Sequence, residues 1–387
     1  MTRPHTLVLG LLLLPAGVGG QSLLSAGGLG VPVEPVDAGT RALGGVGLGI
    51  FGPSFLPTDP AAAADQIIPS VSFTVSSSWL DVTEGDVSSD ASGTRFPMLG
   101  VAYPVKTWGV ATLTYGAVLD QRWRTSQEQV LTLEEGTARV TDTFLSDGGV
   151  AALRLGFARR LAHSLAVGGS VGSYTGEVTR RFTRSFDSLE VETTIPDFEV
   201  GGLWRYSGLV VNVGAMVDVA ELFRLSASVQ WSGNLEAEPS DDTSGSRREF
   251  DLPIEVRVGA SGVLAPGLIA TVGLSRADWS AAGEGLVDGS ARAALTVGGG
   301  LELARASILG RVMPLRLGYR RAELPFGFAG EDPVESVFSG GVGLNLVQAG
   351  DIPRARLDLA LERGGRESGT FTEDFWRTSL TLRISGF

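Results

Sequence analysis

In residues 221–235, ELFRLSASVQWSGNL, apolar and polar side chains alternate without a break. Phe223, Leu225, Ala227, Val229 and Trp231 take one parity, and Arg224, Ser226, Ser228, Gln230 and Ser232 take the other. Successive side chains point to opposite faces only in an extended chain, so this is a strand with one apolar and one polar face. The stretch before it repeats the pattern, with Leu209, Val211, Val213, Ala215, Val217 and Val219 set against Asn212, Gly214, Met216 and Asp218. Only 220–222 separate the two, a connection short enough for an antiparallel hairpin.

A soluble sheet also alternates when one face is buried. Two features favour a membrane instead. The polar face is rich in Gly, Ser, Asn and Arg, as a wet lumen requires, and such strands recur along the chain near the roughly 9 to 11 residues that cross a tilted bilayer span. Beyond the N-terminus no run of 18 apolar residues occurs, which excludes helical spanning, and a mean hydropathy of only +0.18 suits alternation. The expected fold is therefore all-β, a transmembrane antiparallel β-barrel of about fourteen strands. Residues 1–20 read as a secretory signal peptide, 21–69 as a Gly-, Ala- and Pro-rich hatch lying in the lumen, and 70–387 as the barrel. Short turns alternate with longer polar loops, so an even strand number would place both barrel ends on the short-turn side.

Composition removes several function classes. There is no cysteine, hence no lipid attachment site, disulfide or thiolate metal site. A net charge of −12 argues against nucleic acid. His163 is the only histidine after residue 20, so neither a catalytic triad nor a histidine-based metal site is expected, and no cofactor. The glycines of 44–49 do not fit G-x-G-x-x-G and follow no strand, so they are not a phosphate cradle.

Alternation also places charge inside the barrel. Arg154, Arg224, Glu255, Arg257, Glu302, Arg316, Arg320, Asp358, Glu362, Arg377 and Arg383 fall on the lumen parity. The cluster Arg316, Arg320, Asp358 and Glu362 stands out, and Arg41 of the hatch is placed to pair with Asp358 or Glu362. Arg316 or Arg320 would otherwise meet a ligand carboxylate. Leu324, Phe326 and Phe328, in the loop after 314–323, read as exposed groups where an apolar ligand first docks. The terminal Phe387 suits recognition by barrel-assembly machinery, although it falls on the parity opposite Leu380, Leu382 and Ile384 unless Gly386 bulges.

Three stretches carry a family resemblance. Gly39-Thr40-Arg41-Ala42-Leu43-Gly44-Gly45, followed by Asp59-Pro60-Ala61 where the family has Asn-Pro-Ala, resembles the N-terminus of FadL-type outer-membrane transporters. Residues 207–233 are similar to that family's mid-barrel hairpin, and PLRLGYRRAELPF at 314–326 to its C-terminal third. The resemblance implies a fourteen-stranded barrel plugged by an N-terminal hatch, in the outer membrane of a diderm bacterium. It implies passive uptake of hydrophobic small molecules such as long-chain fatty acids, with ligand passing through the lumen or sideways between strands. The expected partners are that ligand and outer-membrane lipid, with the chain acting as a monomer and not as an enzyme. Barrels of this shape also serve protein secretion or surface assembly, which is the alternative function.

Overall fold

In the computed structural model the chain is a closed antiparallel barrel of fourteen wall strands. The structure describes residues 22–387 apart from 86, 134–135, 190–195, 221, 287–290, 309–310, 329, 351 and 387. The signal-peptide expectation and the one for Phe387 therefore lie outside the described residues. Among the described residues no helix is long and apolar enough to cross a membrane.

The wall begins with β1 (Ser70–Glu84), β2 (Val87–Val105) and β3 (Gly109–Asp120), the last continued outward by Trp123–Leu133. β4 (Gly136–Ala162), β5 (Leu165–Leu189) and β6 (Phe198–Val219) are the tallest, and their outer halves stand beyond any bilayer. β7 (Phe223–Ser232) continues as Leu235–Pro239, and β8 (Glu255–Ala265) is preceded by Arg248–Phe250. β9 (Leu268–Asp278), β10 (Ala293–Ile308) and β11 (Arg311–Glu323) follow, then β12 (Val334–Ala349), β13 (Ile352–Ser368) and β14 (Phe371–Ser385). β14 pairs with β1 from Phe371 opposite Glu84 to Ser385 opposite Ser70, which closes the sheet and leaves no wall edge free there.

The outward parity is the apolar one. Phe223, Leu225, Val229 and Trp231 are exposed, while Arg224, Ser226, Ser228 and Ser232 between them are buried. The molecule is thus inverted relative to a soluble protein: its exposed belt is aliphatic and aromatic, and its polar groups are inside. Leu380, Leu382 and Ile384 share the lipid parity, and Gly386 takes φ +72, a turn in the chain after the last strand.

Residues 22–69 contribute little regular structure. They form a 3-10 turn (Leu23–Ala26), a two-residue strand (Val31–Pro32), one helical turn (Ala38–Arg41) and a second 3-10 turn (Pro60–Asp65). Asp37 caps the helical turn by accepting from Thr40 N at 2.8 Å, and Pro60 opens the second 3-10 turn, where its missing N–H costs nothing. The segment packs against inward-facing residues on most wall strands. Ala38 N donates to Thr381 Oγ1 at 2.8 Å, and Asn212 Nδ2 on the far side donates to Pro57 O at 2.8 Å. Small inward residues make this approach possible. A methyl on Gly318 would come 2.4 Å from Gly44 N, and Gly44 itself takes φ +87, which only glycine adopts without strain.

One irregularity lies where the wall meets this segment. β2 and β3 pair only as far as Met98 opposite Gly116, whereas β3 stays bonded to β4 out to Asp120 opposite Gly149. The free edge of β3 is taken instead by Val31–Pro32, with Val31 opposite Asp120 and Pro32 opposite Leu119. Backbone polar groups that would otherwise face the wall gap are thereby satisfied.

Candidate functional site

Above residues 32–58 the lumen opens into a cavity of about 120 Å³. Its floor is Pro32 to Pro35 with Pro57 and Thr58, and its sides are inward residues of β2 to β5 and of β7 to β14. Leu252, Pro253 and Trp279 of the long connections, with Leu324 and Pro325, bound it on the outer side.

Charge dominates the lining. Seven arginines (Arg41, Arg95, Arg154, Arg257, Arg320, Arg366, Arg377) reach it, against Glu34, Glu255, Glu323 and Glu335. They are organised by pairing. Arg257 donates to Glu34 of the N-terminal segment at 2.7 Å and also holds Glu255 at 2.6 Å on its own strand. Arg366 bridges Glu335 at 2.8 Å and Glu373 at 3.0 Å, and Glu335 also receives Arg320. Arg95 reaches Asp120 at 3.2 Å. Glu335 and Asp120 each take two arginines, and Arg257 is shared between Glu34 and Glu255, so the desolvation of these buried ions is offset by pairing.

The residues singled out from the sequence divide into those the fold brings together and those it separates. Arg41 approaches Glu362 at 3.7 Å, and Arg377 reaches the same carboxylate at 3.4 Å. Asp358 is not Arg41's partner; it is held by Arg316 at 2.7 Å and Arg356 at 2.8 Å. Arg316 is also bonded to Glu302, so carboxylates of the wall already occupy its donors. Arg320 turns to Glu335 rather than Glu362. The four-residue cluster is thus split among three separate networks, and the Arg316 donors are taken up by Glu302 and Asp358 rather than left for a ligand.

Leu324, Phe326 and Phe328 correct the sequence expectation more sharply. Leu324 is 7% exposed and Phe326 4% exposed, so they offer no surface on which a ligand docks first. The chain after β11 folds inward across the mouth. Phe326 stacks edge-on against Trp279 at 5.4 Å, and Phe328 lies 4.7 Å from Phe371. Phe326 joins a buried cluster with Leu29, Tyr174, Tyr206 and Phe250. Of the three, only Leu324 reaches the cavity. Strand alternation says nothing about a loop side chain, so this inward fold had no signal in the sequence.

Glu335, Arg366 and Glu373 were missed for a different reason. Their strands run further than the clearest alternation suggests, from 334 and to 368 and from 371, so these residues are lumen-facing wall positions rather than loop. Continuing the parity of Glu362 through Arg366 would have found one of them.

No protein-family model matches the sequence, and no curated protein does. Solved structures do. A Pseudomonas aeruginosa FadL homologue superposes with a TM-score of 0.63 at 10% identity, over 92% of this chain and 100% of that one. The chain has the FadL-type barrel fold. The Pseudomonas putida toluene transporter TodX gives 0.60 at 12% identity over 91% and 99%, and the Ralstonia pickettii toluene transporter TbuX gives 0.58 at 14% over 92% and 99%. Within this FadL-type fold the cavity described above lies inside the wall, between the N-terminal segment and the mouth loops.

Proposed function

We propose that this chain is a non-enzymatic outer-membrane channel for passive uptake of hydrophobic small molecules, with residues 22–69 as its hatch. The observation that carries the reading is the cavity: it sits inside a FadL-type wall, floored by the N-terminal segment and covered by the mouth loops. The toluene-transporter neighbours give the ligand class its support. At about 120 Å³ the cavity is comparable to the engineered apolar cavity of about 150 Å³ that takes benzene. A single-ring molecule is the natural occupant. A long-chain fatty acid would require the hatch to move.

The hatch is held by many separate ties, including Arg257 to Glu34, Arg383 to Asp37 at 3.2 Å and Arg224 to Asp65 at 2.8 Å. Such a plug shifts only when several ties give way together. The dense lumen packing is the one feature that favours the alternative, a barrel for secretion or surface assembly.

Removal of residues 22–69 separates the two. All wall strands keep their neighbours without the segment, apart from the short edge on β3, so the barrel is expected to fold. Single-channel conductance in planar bilayers should rise sharply, as a wall of this size then encloses water. Proteoliposomes containing the full chain should take up toluene faster than empty vesicles. Unchanged conductance on deletion, with no toluene uptake by the full chain, would remove the case for a gated channel.

A further inference from the structure

Six of the seven arginines lining the cavity have a carboxylate within 3.7 Å. Arg154 is the exception. It projects inward from β4, is 3% exposed, and makes no ion pair among the described residues. Its Nη2 donates to the neutral Oε1 of Gln230 at 3.2 Å, while Nε and Nη1 have no hydrogen-bond partner among the described residues. Gly172 lies opposite it on β5, where a methyl would meet the Leu153 carbonyl oxygen at 2.1 Å and Arg154 Cγ at 2.8 Å.

A buried guanidinium with one weak amide contact carries an uncompensated desolvation cost. For the other six arginines of this cavity the protein supplies the counter-charge itself. Here the complement is left to whatever enters. A guanidinium offers a planar fork of donors, and the group that matches it is a carboxylate. The same cavity presents Tyr174, Leu252, Pro253 and Trp279, which give an apolar and partly aromatic surface for the rest of such a molecule. Its size sets the limit at about one ring.

We infer that the cavity binds a compact organic monoanion, its carboxylate on Arg154 in place of the Gln230 amide and its small apolar body against Tyr174, Leu252 and Trp279. The inference rests on the channel reading above and narrows it, from hydrophobic molecules in general to small aryl or short-chain monocarboxylates.

The test uses the purified full-length protein and three probes of similar shape: benzoate, its neutral counterpart benzamide, and toluene. Calorimetric titration should show benzoate bound at least about tenfold more tightly than benzamide, the usual worth of a charge-assisted pair. Arg154→Gln should erase that preference while leaving the weaker benzamide binding in place, and Arg154→Lys should restore part of it. The melting temperature of Arg154→Gln should equal or exceed that of the wild type, because the change removes an unpaired buried charge. If Arg154 only braced Gln230 and the wall, melting would fall and the benzoate preference would survive, and the inference would be overturned. Equal affinity for benzoate and benzamide in the wild type would overturn it as well. If toluene enters proteoliposomes but benzoate does not bind, the anion inference fails alone. If neither probe binds and neither enters, the channel reading fails with it.

Discussion

Along β7 the outward residues Phe223, Leu225, Val229 and Trp231 are exposed apolar groups, while inward Arg224 is tied to Asp218 at 2.7 Å and Asp65 at 2.8 Å. One strand therefore obeys two rules. The outer face has only to be apolar, because lipid accepts any aliphatic or aromatic shape and penalises charge. The inner face has to be specific, because it meets an irregular segment whose backbone must be bonded and whose charges must be paired at particular atoms. A substitution is thus tolerated on the outer face according to its chemistry, and on the inner face according to its geometry.

Val213 and Gly318 put that contrast to the sharpest test. Val213 is 55% exposed on the lipid parity of β6. Val213→Arg should destabilise the barrel by roughly 2 to 4 kcal/mol near mid-membrane, whereas Val213→Leu should be silent. Loss of heat-modifiable migration on gels reads the effect, and an unaltered shift for the arginine variant would mean that this face does not meet lipid. Gly318→Val keeps the chemistry apolar but forces atoms onto Gly44 N. The expected cost is about 1 to 3 kcal/mol of overpacking, taken up by displacement of residues 22–69 rather than by loss of the wall. Protease sensitivity within that segment should rise while heat-modifiable migration stays normal. If both assays stay normal, the segment does not depend on a glycine seat.

The smallest effect is expected where the inner-face rule lapses. Asp142 and Arg184 pair in the outer extensions of β4 and β5, beyond the membrane. Hydrogen bonds from the Arg184 guanidinium hold the Asp142 carboxyl below its ordinary value of 3.8. A carboxyl lowered in the folded state adds stability above its unfolded value, and that contribution disappears as the pH falls through the folded one. Protection of the amides in these two strand ends, taken relative to the intrinsic exchange rate at each pH, should therefore fall slightly as the pH drops below 3.8, and Asp142→Asn should abolish that pH dependence without altering the barrel. A large change in whole-barrel stability would show that this pair, although it lies beyond the membrane, is coupled tightly to the wall.

The wall was legible in the sequence and the site only in part. Period-two alternation is a local property, so the strands, their lipid face and the inward positions of Arg154, Arg224 and Arg257 could be read residue by residue. The low-periodicity stretch before residue 70 could likewise be set apart from the wall by its glycines and prolines alone. Partner choice is not local. Arg320 meets Glu335 rather than Glu362 because the β11–β12 register sets Glu335, opposite Ala322, one diagonal step away on the adjacent strand, whereas Glu362 lies two strands off on β13. The burial of Phe326 depends on a loop turning back over the mouth, and the filled edge of β3 depends on a segment some ninety residues earlier in the chain. Alternation could say that Arg154 points into the lumen. That it alone among the cavity's arginines lacks a carboxylate follows only once fourteen strands and the N-terminal segment have been brought around one space, because charge balance belongs to the enclosed volume and not to any one strand.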